Sequence, residues 1–198
     1  MTAFRIGTPP RVLDAVLHAP ASVPTAAAVV CHPHPEYGGT MENPVVVTTA
    51  TALAARGVAA LRFAFGRPFT GGPGELDDAD AACDALRARV PDGTPLVLVG
   101  YSFGAWVALA LSDRRRDVAR VLAIAPPLDL LPWTPAASGC PVACVAGDRD
   151  PWCAPARLDA LVGAGGGRVV ARALAGADHF LAGREDDAVR TLLALLPS

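Results

Sequence analysis

The chain has 198 residues, of which 52% are hydrophobic, so it is large enough for one domain with a full core. Its 17 basic and 19 acidic residues leave a net charge of −2, which argues against nucleic acid as the main partner. All the basic residues are arginine, and the absence of lysine excludes a Schiff-base enzyme and a P-loop nucleotidase.

The sequence predicts neither a membrane-spanning segment nor a framework of disulfide bonds. Residues 1–11 lack the apolar stretch of a signal peptide, and the longest apolar runs are too short to span a bilayer. We therefore expect a cytoplasmic protein with no membrane partner. The five cysteines are odd in number and contain no C-x-x-C pair, so we expect most of them to be small buried hydrophobic residues.

Seven short apolar runs recur along the chain between stretches rich in Pro and Gly. Apart from a single charged residue in some of them, they are apolar instead of alternating with polar residues, which is typical of strands buried on both faces of a mostly parallel sheet. The runs are 12–17, 26–31, 58–65, 96–99, 118–125, 142–146 and 169–174.

The segments between these runs are long enough for helices that cross from strand to strand. Asn43 as an N-cap, Pro44 as the first helical residue and Gly57 as a stop bracket one helix, although its β-branched centre, 45–49, is also compatible with a strand. Alternating strands and helices predict a single α/β domain over 1–198, built as a three-layer α/β/α sandwich. The other predicted helices are 77–90, 102–111 and 185–196.

Ser102 is the candidate nucleophile. It is the central residue of G-Y-S-F-G at 100–104, a G-x-S-x-G motif that follows the apolar run 96–99 and opens a predicted helix. In this context the motif forms a sharp strand-to-helix turn that exposes the serine hydroxyl at the carboxyl edge of the sheet. The alternative is an ordinary glycine-rich turn, so the interpretation depends on whether the chain also supplies a base and an acid.

His179 is the candidate base. A serine hydroxyl is a weak nucleophile at neutral pH and requires a base that a carboxylate orients. Of the four histidines only His179 follows Ser102, and it lies between the last apolar run and the last predicted helix. The alternative is a solvated loop histidine beside Asp178.

The acid is expected in the loop after run 142–146, where two aspartates compete. Asp148 is close to the end of the predicted strand and could brace the loop. Asp150 has more reach toward the loop of His179 and precedes Pro151, which fixes the turn. We favour Asp150 and keep Asp148 as the alternative.

An oxyanion hole requires two N–H donors, one of them from the residue after the nucleophile, here Phe103. The second donor is expected in the loop after run 26–31, where the two prolines of the H-P-H-P sequence have no N–H. His34 is therefore the favoured donor, and Tyr37 is the weaker candidate.

His32 and His34 also raise the possibility of a metal site, because two histidines at this spacing on an extended chain point the same way. Glu36 alone is close enough to be a third ligand, so we predict no metal and expect the imidazoles to brace the loop through hydrogen bonds. The glycine-rich segment 163–168 lacks the last glycine of the dinucleotide-binding fingerprint and precedes a strand, so it does not predict a cofactor.

These residues together resemble the α/β-hydrolase superfamily, and more narrowly its small lidless bacterial serine hydrolases, which are similar to dienelactone hydrolase. The narrower resemblance rests on an H-P-H-P-x-x-G-G-T-M-x-N segment, here 32–43. The resemblance extends over nearly the whole chain and implies a mostly parallel sheet without a cap domain. It implies a nucleophile, acid and base at Ser102, Asp150 and His179, and an oxyanion hole at Phe103 and His34.

The resemblance also implies hydrolysis of an ester, thioester or amide without a cofactor. The chain departs from such relatives at 63–72, where they read F-N-F-R-G-x-G-x-S and this chain reads F-A-F-G-R-P-F-T-G-G. Only 48 positions separate Ser102 from Asp150, which leaves no room for a cap. Segment 126–139 is the one candidate cover, and core packing of its apolar side chains is an equal alternative; these side chains are Leu128, Leu130, Leu131 and Trp133.

The leading hypothesis is therefore a serine hydrolase that cleaves a small soluble ester or thioester through an acyl-enzyme. A hydrolase scaffold without activity, used to bind a partner, is the alternative from another class, since a fold does not determine a function. A peptidase of the same fold differs only in its leaving group.

Overall fold

Strands β1 to β8 pair into one sheet in the computed structural model, which describes residues 1–8, 11–136 and 139–196. Five helices of the described chain pack against this sheet. The strands are β1 (Thr2–Thr8), β2 (Arg11–His18), β3 (Ala26–Cys31), β4 (Val58–Phe63), β5 (Leu96–Tyr101), β6 (Val118–Ile124), β7 (Val142–Gly147) and β8 (Val169–Leu174). The helices are α1 (Pro44–Ala55), α2 (Pro73–Arg87), α3 (Phe103–Arg114), α4 (Pro155–Ala164) and α5 (Glu185–Ala194).

The strand order is β1-β2-β4-β3-β5-β6-β7-β8, and every pair from β4 to β8 is parallel. Strands β1 and β2 extend the sheet as antiparallel neighbours. After β3 the chain moves outward to β4 and then returns to form β5 on the other side of β3. Ligands of open α/β sheets bind beyond the carboxyl ends of the strands at such a switch in order, which here lies between β3 and β5.

The core consists of two apolar clusters, one on each face of the sheet. Side chains of α2, α3 and α4 join the cluster on one face, and those of α1 and α5 join the cluster on the other. Strands β3 and β7 are buried almost end to end, as expected for strands covered on both faces. The predicted three-layer α/β/α sandwich is confirmed. No described helix has the length and apolar character needed to cross a membrane.

The structure adds three features that the sequence interpretation lacked. Strand β1 pairs along its whole length with β2, and helix α4 follows the loop of Asp150. Helix α2 begins at Pro73, four residues before its predicted start. Proline is favoured at the first helical position, so Pro73 and Gly74, which resemble a helix-breaking pair, instead open the helix.

The described part of the segment after β6 starts beside the loop of Asp150, where the N–H of Asp129 donates to the Trp152 carbonyl at 3.0 Å, and then continues to the far end of α3. The indole N–H of Trp133 donates to Asp113 in the last turn of α3, at the opposite end of that helix from Ser102. Leu128 is buried in the core and Leu131 packs against it, whereas Leu130 is exposed. The described part of the segment therefore follows the core-packing alternative, and residues 137–138 lie outside the described residues.

Candidate active site

Ser102 lies at a sharp turn between β5 and α3, with φ 55° and ψ −122°. This left-handed conformation is strained for a residue with a side chain and is typical of functional sites. Gly104 lets α3 approach the end of β3, since a Cβ there would lie 2.3 Å from the carbonyl oxygen of Cys31. The turn therefore places the amino end of α3 directly against the backbone from which the predicted oxyanion loop starts.

The structure brings Ser102, His179 and Asp150 into one hydrogen-bonded chain. Ser102 Oγ is 2.8 Å from His179 Nε2, and His179 Nδ1 is 2.8 Å from Asp150 Oδ2. Both His179 and Asp150 are only 3% exposed. A carboxylate at Nδ1 holds the proton on that nitrogen, so Nε2 is left to accept a proton from the serine.

Asp148 is held by a different contact. Its Oδ1 accepts the backbone N–H of Gly176 at 2.8 Å, so it braces the loop that leads to His179. Asp150 Oδ1 accepts the N–H of Trp152 at 2.9 Å, which leaves Oδ2 for the histidine. The geometry thus supports Asp150 as the partner of His179 and gives Asp148 the bracing position.

Two aromatic residues hold the His179 ring and its backbone. The Tyr101 hydroxyl donates to the carbonyl oxygens of His179 and Phe180, at 3.0 and 3.1 Å. Burial, with the nearby charge of Asp150, raises the pKa of Tyr101, so the hydroxyl keeps its proton. The Trp152 ring meets the His179 ring edge to face at 4.4 Å. The sequence interpretation missed both roles, although each residue lies within two positions of a predicted site residue.

The loop after β3 is fixed by its own backbone. The carbonyl oxygen of His34 accepts the N–H groups of Tyr37 at 3.1 Å and Gly39 at 3.0 Å. Because the Tyr37 N–H is occupied in this way, the geometry favours His34 over Tyr37 as the second oxyanion donor. The His34 ring lies 5.1 Å from the Phe103 ring, and Phe103 N–H, in the first turn of α3, has no carbonyl of its own helix to bond.

His32 is a structural bracket between β3 and the segment after β4. Its Nε2 accepts the buried N–H of Phe65 at 3.0 Å, so the ring proton is on Nδ1, which donates to the Pro33 carbonyl at 2.6 Å. Burial lowers the pKa of His32 to about 4, which keeps the ring neutral at physiological pH. Both ring nitrogens are therefore occupied, and the described residues contain no cluster of His, Cys, Asp and Glu that could hold a metal ion.

Two buried carboxylates of α2 hold the backbone of the divergent loop 63–72. Asp78 accepts the N–H of Gly66 at 2.7 Å and pairs with both ends of the Arg11 guanidinium fork. Glu75 accepts the N–H and hydroxyl of Thr70, at 3.1 and 2.8 Å, and the N–H of Gly72 at 2.8 Å.

These contacts place the Phe69 ring 4.3 Å from the His34 ring. The loop therefore stands as a fixed wall beside the oxyanion loop. Glu75, in the first turn of α2, could have indicated this arrangement from the sequence. The predicted helix began at residue 77, however, and so did not include it.

A second buried group supports the oxyanion loop from the other face of the sheet. The Arg62 guanidinium donates to the Met41 carbonyl at 3.1 Å and to the Glu42 carboxylate at 2.5 Å. Its Nε donates to His18 Nε2 at 3.0 Å, and burial lowers the pKa of that histidine. Arg62 thereby ties the start of α1, where the 32–43 segment ends, to the sheet.

Comparison with solved structures supports this architecture over the whole chain. The chain is 29% identical to an alpha-beta serine hydrolase homologue from Coxiella burnetii, with a TM-score of 0.87 and coverage of 99% of this chain and 97% of the other. It is 28% identical to a serine hydrolase without a lid from Xanthomonas campestris, with a TM-score of 0.85 and coverage of 100% and 95%. The chain has the α/β-hydrolase fold.

These similarities support the predicted resemblance to the α/β-hydrolase superfamily. The narrower resemblance to small lidless bacterial serine hydrolases, which was based on segment 32–43, stays a prediction. No protein-family model matches the chain. An uncharacterized protein of Rickettsia prowazekii (strain Madrid E) is 39% identical over 122 residues, a match that covers 58% of this chain. The match covers 51% of that protein, so the chain spans about half the length of the curated relative it matches.

Proposed function

We propose that the protein is a serine hydrolase that cleaves a small soluble ester or thioester through an acyl-enzyme. The observation that carries this proposal is the chain of two 2.8 Å contacts from Ser102 through His179 to Asp150. Nucleophile, base and orienting acid at hydrogen-bond distance form the arrangement that activates a serine. Similarity to serine hydrolases over nearly the whole chain supports the same reaction class.

In the proposed reaction Ser102 Oγ attacks the carbonyl carbon while its proton passes to His179 Nε2. The new C–O bond forms a tetrahedral intermediate, and the bond to the leaving oxygen or sulfur then breaks as Nε2 returns the proton to that atom. Water repeats the sequence on the acyl-enzyme, losing its proton to Nε2 and releasing the acid and free Ser102. Asp150 stays ionised and stabilises the imidazolium that forms in each half.

The developing oxyanion is proposed to lie between the N–H groups of Phe103 and His34. The partial positive charge at the amino end of α3 favours this negative charge. The loop that carries His34 is held by Arg62 and the Gly39 contact, so the two donors do not have to reorganise during the reaction. Removing one donor from an oxyanion hole of this kind lowers kcat by a factor of about 10²–10³.

Labelling with a fluorophosphonate tests the proposal directly. The native protein should be modified at one residue, Ser102, and should hydrolyse p-nitrophenyl acetate. Ser102→Ala should lose both properties while it unfolds at the same temperature as the native protein. Ser112→Ala is the matched control, since Ser112 is in the third turn of α3, where its hydroxyl donates to the carbonyl of Leu109. A folded native protein that is neither labelled nor active would instead support the alternative of a hydrolase scaffold without activity.

A further inference from the structure

Two exposed aromatic side chains flank the candidate active site. Tyr37 is 87% exposed and Phe180 is 65% exposed, and they are the two aromatic rings among the exposed large hydrophobic side chains of the described residues. Each follows a site residue closely in the chain, Tyr37 after His34 and Phe180 after His179. Exposed apolar surface grouped around a reactive centre is a sign of ligand contact.

The two rings belong to separate aromatic clusters. Phe180 packs with Trp152 at 6.0 Å and with His179 at 5.8 Å, and this group joins the core on the α1 and α5 face through Tyr101. Tyr37 packs with His34 at 4.6 Å, in the cluster that joins the core on the α2 and α3 face through the ring of Phe103. One cluster therefore surrounds the base and the other surrounds the oxyanion donors.

The proton path decides which part of a substrate meets the first cluster. His179 Nε2 returns its proton to the leaving atom, which must lie within hydrogen-bond reach of that nitrogen. We therefore expect the group attached to the leaving atom to start beside the His179 ring, which Trp152 and Phe180 contact at 4.4 and 5.8 Å. The acyl carbon and its oxyanion point instead toward the His34 side.

The exposed Phe180 ring stands on a fixed backbone. Its N–H donates to Asp178 Oδ1 at 3.0 Å, and its carbonyl accepts the Tyr101 hydroxyl at 3.1 Å. Trp152 is likewise held by its N–H bond to Asp150. The two rings meet edge to face, with an interplanar angle of 78°, so an added ring can pack against the face of one and the edge of the other. Rings that are already in place need little ordering when a ligand binds.

We propose that Trp152 and Phe180 form a leaving-group subsite for an aromatic alcohol or thiol. The inference rests on the proposed serine hydrolase and deepens it, because it names the half of the substrate that the enzyme distinguishes. Packing between aromatic rings adds a gain of about twofold to tenfold over an aliphatic group of the same size.

The test compares two acetates that differ only in the leaving alcohol, benzyl acetate and cyclohexylmethyl acetate. A CH₂ group separates the ring from the leaving oxygen in both, so the ring has little effect on the chemical reactivity. The native protein should show a kcat/KM ratio of about two to ten in favour of benzyl acetate. Phe180→Leu should bring this ratio close to one, and Phe180→Tyr, which keeps the ring, should preserve it.

Tyr37→Leu is the matched control, because it removes an exposed ring from the other cluster and should leave the ratio within twofold of the native value. A native ratio at or below one, or a ratio that falls with Tyr37→Leu and not with Phe180→Leu, would overturn the subsite. If the native protein shows neither hydrolysis nor fluorophosphonate labelling, the proposed function is overturned instead. The failure of the subsite and the failure of the proposed function are therefore distinct.

Discussion

At the scale of single residues, the two aspartates after β7 provide a sharp test of the triad. Asp150→Asn removes the charge that faces His179 Nδ1 and allows the wrong ring tautomer, so kcat on p-nitrophenyl acetate should fall by about 10⁴. Asp148→Asn keeps an oxygen for the N–H of Gly176 and should lose less than about tenfold in kcat. The reverse ranking in folded variants would return the role to Asp148.

His32 predicts a dependence of stability on pH. Burial lowers its pKa from 6.5 to about 4, so between these values the unfolded chain binds a proton that the folded chain does not. The free energy of unfolding should therefore be highest above pH 6.5 and fall as the pH drops toward 4. The full difference of about 2.5 pH units corresponds to a loss of about 3 kcal/mol.

Urea unfolding of the native protein and of His32→Gln between pH 7 and pH 4 checks this expectation. The glutamine can still accept the N–H of Phe65 but does not titrate, so the variant should lose less stability than the native protein over that range. If the free energy of unfolding falls equally with pH in the two proteins, His32 is protonated to the same extent in the folded and the unfolded chain. His34→Gln is the comparison variant: burial lowers the pKa of His34 as well, but this ring is less buried than that of His32, so we expect its loss to remove a smaller part of the pH dependence.

At the scale of secondary-structure elements, the loop beside the active site depends on the first turn of α2. Glu75 is fully buried, and its two carboxylate oxygens accept three bonds from Thr70 and Gly72. Glu75→Gln replaces one acceptor oxygen with a donor, so the free energy of unfolding should fall by about 2 kcal/mol. Asp77→Asn is the matched control, since Asp77 is exposed on the same turn and should change it by less than about 0.5 kcal/mol. Equal losses in the two variants would contradict the anchoring role.

The sequence predicts seven of the eight described strands and misses β1, which lies at one edge of the sheet. Strands such as β3 are recognised because they are apolar throughout, and α1 is recognised by its cap, since Asn43 Oδ1 accepts the N–H of Val45 despite the β-branched run that follows. Strand β1 was missed because its apolar residues are few, and its conformation comes from pairing with β2. Local pattern is weak wherever pairing with a neighbour fixes the backbone.

The candidate site follows the same division. Ser102 and His179 could be proposed from the sequence because G-x-S-x-G and the position of the histidine along the chain are local signals. The contacts of Tyr101 and Trp152 with His179 could not, since they join segments from three different strand ends that meet only in the folded sheet. The choice between Asp148 and Asp150 likewise required the distance to His179.

At the scale of the whole molecule, one edge of a parallel sheet assembles the site. The proposed nucleophile follows β5, the proposed acid follows β7, the proposed base follows β8 and the proposed oxyanion loop follows β3, so every one of these groups lies at the carboxyl end of a strand. Gly147 lets two of these loops meet, because a Cβ there would lie 2.2 Å from the carbonyl oxygen of Ala177. The sheet thus sets the distances in the site, and the described residues form no cap domain over it.

The absence of a cap over the described residues predicts how the proposed hydrolase responds to acyl-chain length. Each added CH₂ contributes about 0.8 kcal/mol only where an apolar wall covers it, and that gain corresponds to a threefold to fourfold rise in kcat/KM. We expect segment 126–136 not to provide such a wall, because it leaves Leu130 60% exposed and its Trp133 bonds to Asp113 at the far end of α3 from Ser102. Beyond about four carbons the value of kcat/KM for p-nitrophenyl esters should therefore level off.

A series from acetate to decanoate measures this profile, and Leu130→Ala should reproduce the native curve because that side chain lies in solvent. Levelling in both proteins means that the longer chains remain in water while the carbonyl group reacts. A steady climb to decanoate, lowered by Leu130→Ala, would mean that the segment folds over the acyl group when substrate is bound. Because the leaving group is the same throughout the series, this profile is independent of the contacts made by Phe180.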